Sequence, residues 1–108
     1  MASTMQIPQD LSRTMLELPR KIDALYLGAG TAETWTCPAG TRAIIISASA
    51  GIYVRVASAA AVPTDEITDG TGSLYINSTA QFLVEEGVAY SFIRSSGSAT
   101  IVTIGQYA

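Results

Sequence analysis

The run TRAIIISASAGIYVRVA, residues 41–57, decides the fold class of this 108-residue chain. β-Branched residues crowd both halves, and a side chain stiff at χ1 suits a pleated strand better than a helix. In the first half Ile44, Ile46 and Ala48 fall on one face; in the second, Ile52, Val54 and Val56 do. Alternation at period two, interrupted at Ala50-Gly51, predicts two antiparallel strands joined as a β-hairpin. Each strand then carries one strongly apolar face that a lone hairpin cannot bury. A second layer is required.

The same period continues on both sides. Ile22, Ala24 and Tyr26 alternate with Asp23, Leu25 and Leu27 in a strand closed by Gly28-Ala29-Gly30. Residues 31–37 predict another, with Glu33, Trp35 and Cys37 on one face. Pro38-Ala39-Gly40 reads as a tight turn, with proline restricting φ and Gly40 free to take a positive one. Residues 58–73, SAAAVPTDEITDGTGS, hold no period; so long a connection in a small domain is functional or lies across an interface. Leu74 to Asn77 can form a short strand. Residues 81–84 and 88–94 flank Glu85-Glu86-Gly87, a hairpin signal with Gly87 left-handed. In the last strand, residues 99–107, Ile101 and Thr103 alternate with Val102 and Ile104. Trp35, Phe82, Tyr90, Phe92 and Ile101 are the expected cover for the central run. The expectation is an all-β fold: a small antiparallel β-sandwich, jelly-roll-like, of about seven or eight strands over residues 21–108.

Residues 1–20 differ. Pro8 interrupts a polar start, and Asp10 can cap a short helix whose Leu11, Met15 and Leu18 form an apolar stripe ended by Pro19. The segment reads as an arm, with or without that helix, that lies on the sheet or on a neighbouring chain.

Composition narrows the function. Charged residues make up 14 % of the chain, against about 25 % in ordinary soluble domains. Such a surface suits a subunit packed against neighbours, or a secreted domain with a neutral exterior. The net charge is −3 and no basic stripe exists, so nucleic acid is not an expected partner. No apolar run approaches the ~20 residues of a membrane-spanning helix, and residues 1–10 lack the pattern of a secretion leader, so no membrane is expected either.

Reaction chemistry finds little to use. The chain has no histidine, which removes Ser-His-Asp and Cys-His catalysis and the commonest metal ligand. Cys37 is single, cannot close an internal disulfide, and has no neighbouring cation; it reads as a small buried hydrophobe. Asp65, Glu66 and Asp69 offer oxygen ligands of the kind Ca²⁺ takes, but their spacing departs from an EF-hand, and an Asx turn at Asp69 competes. Glu85 and Glu86 diverge as neighbours in a turn, unlike a glycosidase pair. Trp35 and Tyr53 are a candidate sugar-stacking pair or ordinary strand aromatics. Gly70 to Ser73, GTGS, lacks the lysine of a phosphate loop. No catalytic residue, no metal and no cofactor is expected.

The "CPAGT" turn before an apolar strand, the "IYVRV" strand, the "VPTDEITDGTGS" loop and the terminal "ATIVTIGQY" strand resemble small β proteins among the virion genes of tailed bacteriophages. The resemblance covers residues 33–108. It implies a non-enzymatic virion structural protein such as a capsid decoration or cement subunit, a homo-oligomer and commonly a trimer. Its partner would be the major capsid protein or another virion protein, and its place the capsid surface after synthesis in the host cytoplasm. No contact residue carries over. From the residue pattern, Leu11 and Met15 of the arm and the outward-facing Tyr53 and Arg55 are the candidate interface. Two alternatives are a carbohydrate- or receptor-binding module around Tyr53, Asp65, Asp69 and Tyr75, and a tail or head-completion subunit.

Overall fold

A computed structural model describes residues 18–108. The expected capping residue Asp10 and the arm residues Leu11 and Met15 lie outside the described residues. Eight strands follow in order: β1 Lys21–Leu27, β2 Glu33–Thr36, β3 Ala43–Ala48, β4 Ile52–Val56, β5 Leu74–Ile76, β6 Thr79–Leu83, β7 Ala89–Arg94 and β8 Thr100–Tyr107. They form two four-stranded antiparallel sheets, sheet A with the order β1-β8-β3-β6 and sheet B with the order β2-β7-β4-β5.

That order has a simple origin. The first half of the chain pairs with the second in reverse: β1 with β8, β2 with β7, β3 with β6 and β4 with β5. The ribbon so formed has the loop of residues 57–73 at its tip. Rolling it up adds the pairings β3 with β8 and β4 with β7, which close each sheet. The result is a jelly-roll β-sandwich.

The central run does not form the expected hairpin. β3 lies in sheet A between β8 and β6, whereas β4 lies in sheet B between β7 and β5. Ala50-Gly51 is therefore a corner from one sheet to the other. The predicted hairpin at Glu85-Glu86-Gly87 is a second such corner, joining β6 of sheet A to β7 of sheet B. The reason is geometric. Strands side by side are about 4.8 Å apart and facing sheets about 10 Å, yet both arrangements bury the same alternate residues after a short turn. Period two specifies which side chains face inward. It does not specify which strand is the neighbour.

The inner faces meet in a core built from Leu27, Trp35, Cys37, Ile44, Ile46, Ile52, Ile76, Val84, Phe92, Val102 and Ile104. Trp35 donates its indole N–H to Asp23 Oδ2 at 2.8 Å, tying the edge strand of sheet B to that of sheet A. Its ring also lies 6.0 Å from that of Tyr90. Of the expected covering residues, Trp35 and Phe92 are buried and Phe82 and Tyr90 half-buried, but Ile101 is exposed. Ile101 has the parity of the outer face, opposite to Val102 and Ile104. Two turns behave as their glycines require: Gly40 and Gly87 both have positive φ. Thr41 N–H bonds the Pro38 carbonyl at 3.3 Å, so Pro38 opens that turn and Ala39-Gly40 are its central pair.

Candidate functional site

The outer face of sheet B carries the predicted Tyr53 and Arg55. Register places Tyr53 beside Ile93 and Tyr75, and Arg55 beside Ser91. The Tyr53 and Tyr75 rings are tilted against each other with centroids 5.2 Å apart. This face is not open, however. Ala57 N–H extends the β4–β7 ladder to the Ala89 carbonyl at 2.8 Å, and just beyond it buried Ala60 lies on the face, donating its N–H to Ser91 Oγ at 2.9 Å. Ser91 and Ile93 are buried although they point away from the core. Tyr53 and Arg55 are half-buried at the margin of this cover. Trp35 faces inward and Tyr53 outward, so they form no shared stacking platform.

The acidic loop is occupied with its own backbone. Asp69 Oδ1 accepts from Thr71 Oγ1 at 2.6 Å and from Thr71 N–H at 3.1 Å, and Asp65 Oδ1 accepts from Glu66 N–H at 2.8 Å. The Thr71 hydroxyl and amide, with a smaller contribution from the Arg55 charge, hold the Asp69 carboxyl below its ordinary range. This is the Asx turn expected of such a sequence. Among the described residues no three Cys, Asp or Glu side chains converge on a common point.

Cys37 sits in the core at the end of β2, with Sγ 3.6 Å from the Thr41 carbonyl. Burial pushes its thiol pKa up, and the Glu86 charge adds to that. A raised thiol pKa means the unfolded chain releases its proton first as pH rises. Stability therefore falls from the ordinary thiol range near about 8.5 upward and is unaffected below it. The native thiol is expected to resist a disulfide reagent at pH 8 until denaturant is added. Urea midpoints at pH 7 and 9.5 should fall further for the parent chain than for Cys37→Ala. Equal falls would remove the assigned role of thiol ionisation.

Two features were not anticipated. The first is the outer face of sheet A, built from Ile22, Ala24 and Tyr26 of β1, Ile101, Thr103, Gly105 and Tyr107 of β8, Ala43, Ile45 and Ser47 of β3, and Thr79, Gln81 and Leu83 of β6. None carries a charge, and Ile22, Tyr26, Ile101 and Leu83 are exposed, Leu83 to 87 %. The signal was present in every second residue of four segments, but only the pairing shows that the four lie together.

The second is a cleft of about 420 Å³ where the sandwich opens between β5 and β6. Its walls are inner-face side chains, among them Ile44, Val54, Phe82, Tyr90 and Phe92, and its rim includes Arg55, Gly70 and Gly72. Val56 and Leu74 point toward the core side yet remain 55 % and 59 % exposed. β5 and β6 are both edge strands, so unpaired backbone groups flank the opening. Apolar walls with free strand edges can take up an apolar side chain or an added strand. Acid-base or nucleophilic work has no constellation here.

Comparison of the chain with protein-family models, with curated proteins and with solved structures returned no match.

Proposed function

We propose that this protein is a non-enzymatic structural subunit of a bacteriophage virion, a capsid decoration protein that oligomerises and bridges major capsid subunits. The observation that carries the reading is the open β5–β6 margin, where inner-face residues Val56, at the end of β4, and Leu74, on the edge strand β5, stand exposed. A sandwich that leaves core-facing side chains in solvent is completed by a neighbour. The low charge of the chain and the sequence resemblance to phage virion proteins support the same reading, and jelly rolls recur in viral capsid proteins. Binding an assembled lattice at many equivalent places stabilises it by mass action and avidity.

The test is the number of copies per particle in purified virions of the encoding phage, read by quantitative mass spectrometry. Hundreds of copies are expected. Absence from the particle overturns the reading, and copies of five, six or twelve move it to a tail or head-completion role. Leu74→Asp is expected to abolish oligomer and particle binding while moving the chain's unfolding free energy by less than about 1 kcal/mol, as surface substitutions do. Full particle binding by this variant would exclude the cleft margin as the contact.

A further inference from the structure

Four strands stand at the margins of the two sheets, β1 and β6 in sheet A and β2 and β5 in sheet B. Folded proteins keep such edges from pairing with other chains by charge, proline or brevity. β1 carries Lys21 and Asp23, β2 carries Glu33, and β5 is only three residues long. β6 has none of these protections. Its sequence, TAQFL, runs for five residues with neither charge nor proline.

The hydrogen bonds fix what that edge offers. Ala48 N–H bonds the Ser78 carbonyl and Val84 N–H bonds the Arg42 carbonyl, both at 2.9 Å. Along an antiparallel strand the backbone groups of successive residues point alternately to its two sides. Counting in twos between those bonds, Ala80 and Phe82 turn their N–H and C=O toward β3, where they oppose Ile46 and Ile44. Thr79, Gln81 and Leu83 turn theirs to the free side, three donors and three acceptors in a row. No strand among the described residues takes them up. Their side chains are exposed on the uncharged outer face of sheet A.

We infer that β6 pairs with β6 of a second copy of this chain, antiparallel across a two-fold axis at Gln81, joining two copies of the four-stranded sheet A into one sheet of eight strands. The edge is complementary to itself in this register. Gln81 exchanges both backbone bonds with the partner's Gln81, Thr79 with the partner's Leu83, and Leu83 with the partner's Thr79, so all six free groups are used. Phe82 stands opposite the partner's Ala80, large against small, on the inner side, and Leu83 opposite the partner's Thr79 on the outer side. Glu85, the nearest charge, faces the partner's Asn77 and not another acid. Sliding by two residues in either direction would leave backbone groups unpaired. Copies of net charge −3 repel, and β6 is the edge along which they meet without opposing like charges. The added strand also extends sheet A over the margin where Val56 and Leu74 stand exposed. The inference rests on the oligomeric part of the proposed function and names the strand and symmetry that build it, whatever particle the oligomer serves.

Sedimentation equilibrium of the full chain and its variants tests it. The parent is expected to populate a dimer at concentrations up to about 1 mM. Gln81→Pro is expected to sediment as a monomer: its missing N–H and its ring fall on the free side, so the β3–β6 ladder is kept. Its urea unfolding, followed by Trp35 fluorescence, checks that it folds. Gln81→Lys and Gln81→Glu each set like charges against each other across the axis and are expected to weaken the dimer by about tenfold or more. An equimolar mixture of the two is expected to recover the parent's association. A parent that stays monomeric or forms a trimer overturns the inference, as does a Gln81→Pro chain that still dimerises, or a mixture no more associated than its components. A trimer would leave the capsid reading standing, whereas a β6-paired dimer absent from virions would overturn that reading and support this inference.

Discussion

Phe92→Ala is expected to lower the unfolding free energy by about 3–5 kcal/mol, a large part of the 5–15 kcal/mol that holds a domain of this kind together. Phe92 is fully buried at the middle of β7, with Val54 of β4 on one side and Glu33 of β2 on the other. Its ring is the largest side chain withdrawn completely from solvent. Phe92 also borders the β5–β6 cleft, so water can reach part of the space a truncation leaves. That access limits the cavity contribution and puts the expected loss toward the lower end of the range. Urea unfolding followed by Trp35 fluorescence reads the change. A loss below about 1 kcal/mol would mean that the sheets close over the void and that Phe92 is not central to the core.

Gly51→Val is expected to cost about 1–3 kcal/mol, and for a reason different from that of a hairpin glycine. A hairpin turn of the favoured types would need left-handed backbone at or beside this position. Gly51 is not among the residues with positive φ. What a side chain would meet is contact: a Cβ here would stand 2.5 Å from the Tyr75 hydroxyl oxygen and 2.8 Å from Ser95 Oγ, side-chain ends that must move aside to admit it. Tyr75, from the edge strand β5, lies across the corner where the chain changes sheets. Combining Gly51→Val with Tyr75→Ala should therefore recover part of the loss, with a coupling energy of about 1 kcal/mol in a double-mutant cycle. Strict additivity would place the cost in the backbone and count against the contact.

These two residues illustrate how far the chain could be read in advance. Phe92 was recognisable as core because it alternates with Ser91 and Ile93 in a segment bounded by turn residues. Gly51 was recognisable as a break but not as the kind of break it is. A two-residue turn between apolar strands is the shape of a hairpin and equally of a corner between sheets. The choice was made by partners far along the chain, β6 and β8 for β3, and β5 and β7 for β4.

The candidate surfaces show the same division. Tyr53 and Arg55 were identified as outward-pointing, and their parity on β4 is outward. Their partial cover by the loop of residues 57–73 was not foreseeable, since it depends on Ala60 meeting Ser91 across 31 positions of sequence. The long loop was flagged by its length alone. Its partial cover of its own sheet comes from the Ala60 N–H bonded to Ser91 Oγ, which carries no pattern in the sequence.

By itself, the sequence determined that this is an all-β chain, where most strands and turns fall, and most of the residues that line the core. Those properties follow from local period, turn residues and composition, each set within a few positions. Only the tertiary structure decided which strands are neighbours in each sheet, that one outer face is partly covered and the other uncharged, and that the β5–β6 margin stands open. Strand neighbours are chosen by long-range pairing among segments of nearly equal alternation, and that competition is settled only when the whole ribbon rolls up. The run of residues 41–57 thus supplies two inner strands, one to each sheet, facing each other across the core they share.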